Sequence, residues 1–238
     1  MSDRLDPAYA RDYLTGRLTG GPRPAAVGRK FSADGAVLPA PGNTFLCHVD
    51  PASDAHAALA RAQDILKAGP LADAFTFLPP ASFHMTVFQG VIATERDLER
   101  WPGHLATDAA IDDVTTDIEP RVASLTLPTA FQIRPLGIFG GFSVSVSGAD
   151  AEQEDRLRRT RDTLSDAIGL RAPDHDSYDF HITLGYLLRW LSPEDAETVL
   201  DTSRRAAEEL PEQITLGPVE FCTFDDMHRF APVRQLMS

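Results

Sequence analysis

The tetrad Phe-His-x-Thr occurs twice in the chain, as Phe83-His84-Met85-Thr86 and as Phe180-His181-Ile182-Thr183. Side chains alternate between the two faces of a β-strand, so a strand carrying this tetrad puts the His and the Thr on one face and the apolar residues on the other. Two such strands facing one another bring two imidazoles and two hydroxyls around a common point. That set suits displacement at phosphorus. A phosphodiester is cleaved when the attacking oxygen loses a proton on one side of phosphorus and the leaving oxygen gains one on the other. Histidine, with an ordinary pKa of about 6.5, can be neutral in one copy and protonated in the other near neutral pH. Threonine hydroxyls donate to the non-bridging oxygens and stabilise the charge that builds there. The expected catalytic set is His84, His181, Thr86 and Thr183, and the scheme requires no cofactor and no metal.

The elements around the tetrads repeat as well. Residues Thr44 to Val49 and Ser82 to Phe88 read as strands flanking an Ala-rich helix over Ala52 to Ala68, which could begin at Ser53 or Asp54. In the second half, Gly141 to Ser147, a charged amphipathic helix over Ala151 to Ile168, and a strand over Tyr178 to Leu188 give the same order. The two histidines lie 97 residues apart, the length of a small lobe, so an internal duplication is expected. Arg121 to Leu127 and Phe131 to Ile138 read as a bridging hairpin, and Asp108 to Glu119 as an exposed acidic loop or short helix. A helix over Pro193 to Leu210, capped by Ser192, precedes strands at Gln213 to Leu216 and Val219 to Phe224. Residues 1–43, rich in Gly and Pro, read as an N-terminal extension with a short helix near Pro7 to Leu14, held to the body by Val27, Phe31, Val37 and Leu38. Residues 44–238 are expected to form one bilobal α+β domain, two antiparallel sheets facing a central cleft.

Composition narrows the substrate. A net charge of −13 argues against long nucleic acids, whose non-specific affinity comes from Lys and Arg neutralising phosphates. It leaves a small phosphodiester or short oligonucleotide in a local pocket. No apolar run is long enough for a membrane span, and the opening Met1-Ser2-Asp3-Arg4-Leu5-Asp6 lacks a secretory pattern, so a cytoplasmic monomer is expected. Cys47 and Cys222 sit in apolar runs without metal-ligand spacing and read as buried small hydrophobes.

Around the tetrads, Tyr178, Tyr186, Phe224 and Arg229 are candidate substrate-binding residues, the aromatics for stacking and Arg229 for phosphate; Phe230 is an alternative stacking ring. Tyr186 has the wrong strand parity unless Gly185 introduces a bulge. His48 and Asn43 read as structural residues of the first strand. Arg156, Arg158, Arg159 and Arg161, interleaved with acids, read as a solvated helix face.

These paired motifs resemble the 2H phosphoesterase superfamily, which includes 2′-5′ RNA ligase-like proteins, plant cyclic phosphodiesterases and RNA-end processing enzymes. The resemblance covers roughly residues 44–225. The stretches Lys30 to Gly35 and Pro41 to Phe45, with Phe-His-Met-Thr-Val-Phe-Gln-Gly, look like a bacterial branch of it. It implies a bilobal 2′-5′ RNA ligase-like fold with a pseudo-twofold cleft and hydrolysis of 2′,3′-cyclic or 2′-5′ linked nucleotides. It also implies His84 and His181 as the acid–base pair, with Thr86 and Thr183 as phosphate binders. The alternatives are a nucleotide- or phosphate-binding module without turnover, and a metallohydrolase with the two histidines as ligands.

Overall fold

Helices begin where the sequence supplies capping oxygens. In the computed structural model, which describes residues 5–237, Asp6 Oδ1 accepts from the Ala8 amide at 2.7 Å and starts α1 (Pro7–Leu14). The first four residues, part of the opening read above for a secretory pattern, lie outside the described residues. Ser53 caps α2 (Asp54–Lys67), Asp150 caps α4 (Ala151–Ile168) and Ser192 caps α5 (Pro193–Ala207), each side chain accepting a backbone amide of the first turn. Gly169, at φ +65°, ends α4 in the left-handed conformation that glycine adopts without strain.

The strands are β1 (Gly42–His48), β2 (Phe75–Phe77), β3 (His84–Ile92), β4 (Phe131–Phe139), β5 (Ser143–Gly148), β6 (His181–Thr183), β7 (Gly185–Leu187), β8 (Ile214–Leu216), β9 (Val219–Phe224) and β10 (Ala231–Leu236). Eight of them form one antiparallel sheet in the order β10-β9-β1-β3-β6-β5-β4-β8. This corrects the expectation of two principal sheets facing a cleft. The duplicated units, β1-α2-β3 and β5-α4-β6, are present, but β3 and β6 pair with each other through Met85 and Ile182 and fuse the two half-sheets edge to edge. A second, two-stranded sheet pairs β2 with β7.

Met85, Val87, Ile182 and Leu184 lie in the main core with Leu59 and Leu66 of α2 and Leu157 and Leu164 of α4. Each fully buried side chain of this kind contributes about 1.5–3 kcal/mol. The apolar positions of both tetrads are thus fixed against the helices, which leaves the His and Thr positions on the other face of the sheet.

Three local expectations change. Of the two readings of Asp108 to Glu119 the helix holds but runs on past Arg121: residues Ile111–Val122 are α3, because Val114, Ile118 and Val122 recur every fourth residue and are buried, with Asp112 and Asp113 favouring the N-terminal turn. Arg121 to Leu127 is therefore no hairpin strand. The expected strand over Tyr178 to Leu188 breaks after Thr183: at Gly185 the backbone passes so close to β2 that a Cβ would lie 2.6 Å from Thr76 O, and the chain continues as β7 on a different sheet. Strand β10 had no sequence signal. Its positions up to the last are exposed or half-exposed, so no apolar alternation marks it.

The N-terminal segment is packed on the rest. Leu14 is fully buried, Arg11 pairs with Glu197 of α5, and Trp190 Nε1 donates to Gly21 O at 2.8 Å. Phe31, also fully buried, belongs to a cluster with Leu46, Leu78, Leu188 and Met227. Cys47 and Cys222 are buried free thiols, both pushed up by burial, Cys222 to about 12. Among the described residues no helix is long and apolar enough to cross a membrane.

Asn43 joins three elements. Its Oδ1 accepts from Val91 N at 3.1 Å and its Nδ2 donates to Thr115 of α3 at 2.9 Å. A Cβ at Gly90 would lie 2.5 Å from Asn43 O. Gly90→Ala is expected to destabilise the protein by about 1–3 kcal/mol in urea unfolding, because neither backbone can yield cheaply. An unchanged midpoint would contradict that packing.

Candidate active site

Met85 pairs with Ile182 in antiparallel register. One step either way sets His84 across from Thr183 and Thr86 across from His181, so imidazoles and hydroxyls alternate at four corners of one sheet face. All four residues are partly exposed, and all four line one open cavity.

The two imidazoles are held alike. His84 Nδ1 lies 2.7 Å from Ser82 O and His181 Nδ1 lies 2.8 Å from Asp179 O, in each case the carbonyl two residues back. A carbonyl oxygen only accepts, so Nδ1 carries the hydrogen and Nε2 is the nitrogen that can take up a proton. Each ring also has an aromatic neighbour: Phe230 lies 4.2 Å from His84 and Tyr178 lies 5.9 Å from His181, centroid to centroid.

The strands outside the quartet differ between the halves. On β1, His48 sits opposite His84, with ring centroids 6.3 Å apart, and its Nδ1 is 2.5 Å from Glu220 Oε2 of β9. The equivalent position on β5 is Ser145, opposite His181, and Ser143 lies opposite Thr183. Both serine hydroxyls are buried without a hydrogen-bond partner among the described residues. His84 is pushed down to about 4, chiefly by burial and further by the neighbouring His48 and His181, while its bond to Ser82 O opposes the shift.

Tyr178, Tyr186 and Phe224 also line the cavity. Tyr186 reaches it because the chain has left the main sheet at Gly185. Arg229 is exposed and outside the lining; Phe230, the next residue, turns inward instead. Sequence reasoning missed Lys30, Glu95 and Arg100, whose positions in the cavity depend on contacts remote in sequence. It also misread Arg161. Arg156, Arg158 and Arg159 do pair with acids one turn earlier, but Arg161 is buried. Its guanidinium lies 4.1 Å from the Tyr178 ring centroid and donates to Val87 O at 2.6 Å, and burial pushes it down to about 10. It thereby joins α4 to both β3 and the segment before β6.

Two side-chain groups among the described residues have metal-ligand spacing: His48 with Glu220 and Cys222, and Asp162 with His175 and Asp176. In the first, His48 Nδ1 is already engaged by Glu220; in the second, Arg171 pairs with both aspartates. Neither group contains His84 or His181.

The sequence model of the family 2H-phosphodiest, described as a domain of unknown function (DUF1868), matches residues 30–138 and so includes the first tetrad. No curated protein matches the chain significantly. Among solved structures, a conserved protein of unknown function, ATU0111 from Agrobacterium tumefaciens str. C58, is 37% identical over 94% of this chain and 97% of its own, with a TM-score of 0.89. A structure described as a phosphoesterase is 9% identical over 82% of this chain and 98% of its own, with a TM-score of 0.45. TT0787 of Thermus thermophilus is 15% identical over 82% of this chain and 96% of its own, with a TM-score of 0.42. With a relative matched along nearly its whole length, the chain belongs to the family of that Agrobacterium protein, and its residues 30–138, which hold the first tetrad, match the 2H-phosphodiest model.

Proposed function

We propose that the protein is a phosphodiesterase that hydrolyses a small nucleotide or short oligonucleotide phosphodiester, 2′,3′-cyclic or 2′-5′ linked, by acid–base catalysis between His84 and His181 without a metal. The observation that carries this reading is the alternation of His84, Thr183, His181 and Thr86 on one sheet face inside one cavity. Both imidazoles present the same tautomer, so each can serve as base when neutral and as acid when protonated. The match of residues 30–138 to the 2H-phosphodiest model supports phosphodiester chemistry in general.

The asymmetry between the halves supports a division of labour. His84, disfavoured from carrying a proton, is the base: its Nε2 removes a proton from water as the water oxygen bonds to phosphorus. His181 is the acid: it delivers a proton to the leaving oxygen as the P–O bond breaks. Thr86 and Thr183 donate to the non-bridging oxygens. The acidity of the chain as a whole, at a net charge of −13, favours a substrate small enough to be held by the cavity alone.

Three outcomes are expected. Purified protein should turn over a 2′,3′-cyclic nucleotide or a 2′-5′ dinucleotide in EDTA, and His84→Ala and His181→Ala should each lower kcat/KM by about two to four powers of ten. Binding without product in any of these assays would favour a phosphate-binding module, and loss of activity on chelation would sink the metal-free scheme.

The acidic limb of kcat/KM, which reports the free enzyme, should lie near pH 4 rather than near 6.5, since His84 stays neutral until then. Replacing His48 by Gln should move that limb upward, because one neighbouring charge is removed. A limb unmoved by the substitution would contradict the influence of His48.

The same depressed value has a stability consequence. Between pH 6.5 and about 4 the unfolded chain binds a proton at His84 that the folded chain does not. This residue's contribution is therefore fully present above pH 6.5 and is lost as pH falls through that window. His84→Gln should weaken the acid-side loss of stability in denaturant titrations at pH 4.5 and 7; an identical slope in both proteins would count against it.

A further inference from the structure

The chain contains two lysines, Lys30 and Lys67. Lys67 is held within its own helix by Gln63 Oε1 at 2.6 Å, near Asp64. Lys30 lines the cavity that holds the catalytic quartet. Its ammonium lies 5.7 Å from the Tyr186 ring centroid, and among the described residues no carboxylate pairs with it. The other charged groups in the lining, apart from the histidines, are already matched. Glu95 pairs with Arg29 at 3.1 Å, and Arg100 pairs with Asp174 at 3.2 Å. In a chain of net charge −13, the cavity keeps one unbalanced cation among the described residues.

The position of Lys30 is built. On one side Arg29 donates to Thr94 O at 2.8 Å, and on the other Phe31 is fully buried with its ring 5.0 Å from that of Tyr186. The backbone of Lys30 itself donates to Ala26 O at 2.9 Å and accepts from Leu38 N at 2.8 Å. The turn before β10 links this end of the cavity to the quartet. Phe230 lies against His84, whereas Met227 receives the Tyr186 hydroxyl, whose ring lies beneath Lys30. An apolar wall thus runs from the imidazole to the ammonium. Such a wall suits a nucleoside, with a phosphate wanted at each end.

We propose that Lys30 is a specificity-determining residue for a second phosphate, so that the substrate class is a phosphodiester carrying a further phosphate group, such as a 2′,3′-cyclic nucleotide phosphorylated at its 5′ position. This rests on the phosphodiesterase reading and deepens it. A lone ammonium in a partly enclosed site makes charge-assisted hydrogen bonds to phosphate oxygens, which are about twice as strong as neutral ones. The aromatic ring beneath it restricts its rotamers and keeps it in the cavity.

The test is steady-state kinetics of the full chain on a 2′,3′-cyclic nucleotide with and without a 5′-phosphate. The wild type should prefer the phosphorylated substrate by about 10- to 100-fold in kcat/KM, mostly through KM. Lys30→Met should collapse that ratio to about one, and Lys30→Arg should retain most of it. Equal losses on both substrates would overturn the proposal, since Lys30 would then serve the scissile phosphate or the fold; a wild type without preference would overturn it as well. Should the wild type turn over neither substrate, the phosphodiesterase reading fails first. Calorimetric titration with a nucleoside 3′,5′-bisphosphate and its 3′-monophosphate then decides the Lys30 proposal. A 5′-phosphate contribution present in the wild type and absent in Lys30→Met upholds it, and the same contribution in both proteins overturns it.

Discussion

The pairing of Met85 with Ile182 is the constraint on which the rest of this molecule depends. It joins the two half-sheets and sets the four polar residues of the tetrads on a common face. Strand register has a period of two, so a slip by one residue would turn Met85 and Ile182 toward the cavity and bury the histidines among the helices. Burying an unpaired polar ring in that core costs far more than the slip could regain. Both x positions of the tetrads are completely buried, which is what holds the register.

How much of this was legible follows the range of the interactions involved. Tetrads, caps and amphipathic helices are local patterns, and Ser53 and Ser192 sit where the chain asked for them. The fusion of the half-sheets was not legible, because a strand carries no mark of which distant edge it joins. Nor was the placement of Lys30, which depends on Phe31 finding a hole between β7 and the turn before β10. Arg161 was concealed by its neighbours: in a run of charges on a helix, only the tertiary packing shows which one turns inward. Arg229 and Phe230 differ by one position, and strand parity cannot be assigned to a segment with no apolar alternation.

Electrostatics in this protein is arranged locally against the global charge. The surface is strongly acidic, yet the cavity wall matches its acids with arginines and adds the ammonium of Lys30. For the proposed phosphodiester substrate, this would set a short-range attraction inside a long-range field that repels anions, a combination that favours small ligands able to enter and be enclosed.

The departure from twofold symmetry has a stereochemical consequence. A cavity whose halves were identical would accept a phosphodiester in two opposed poses, with water entering from either side and either oxygen leaving. Here one half presents His48 with Glu220 and the other presents Ser145, and a single lysine marks one end. In the proposed reaction the duplicated frame would supply the two hands that grip phosphorus, and its unequal flanks would give that reaction a handedness, a cyclic substrate then opening toward one regioisomer.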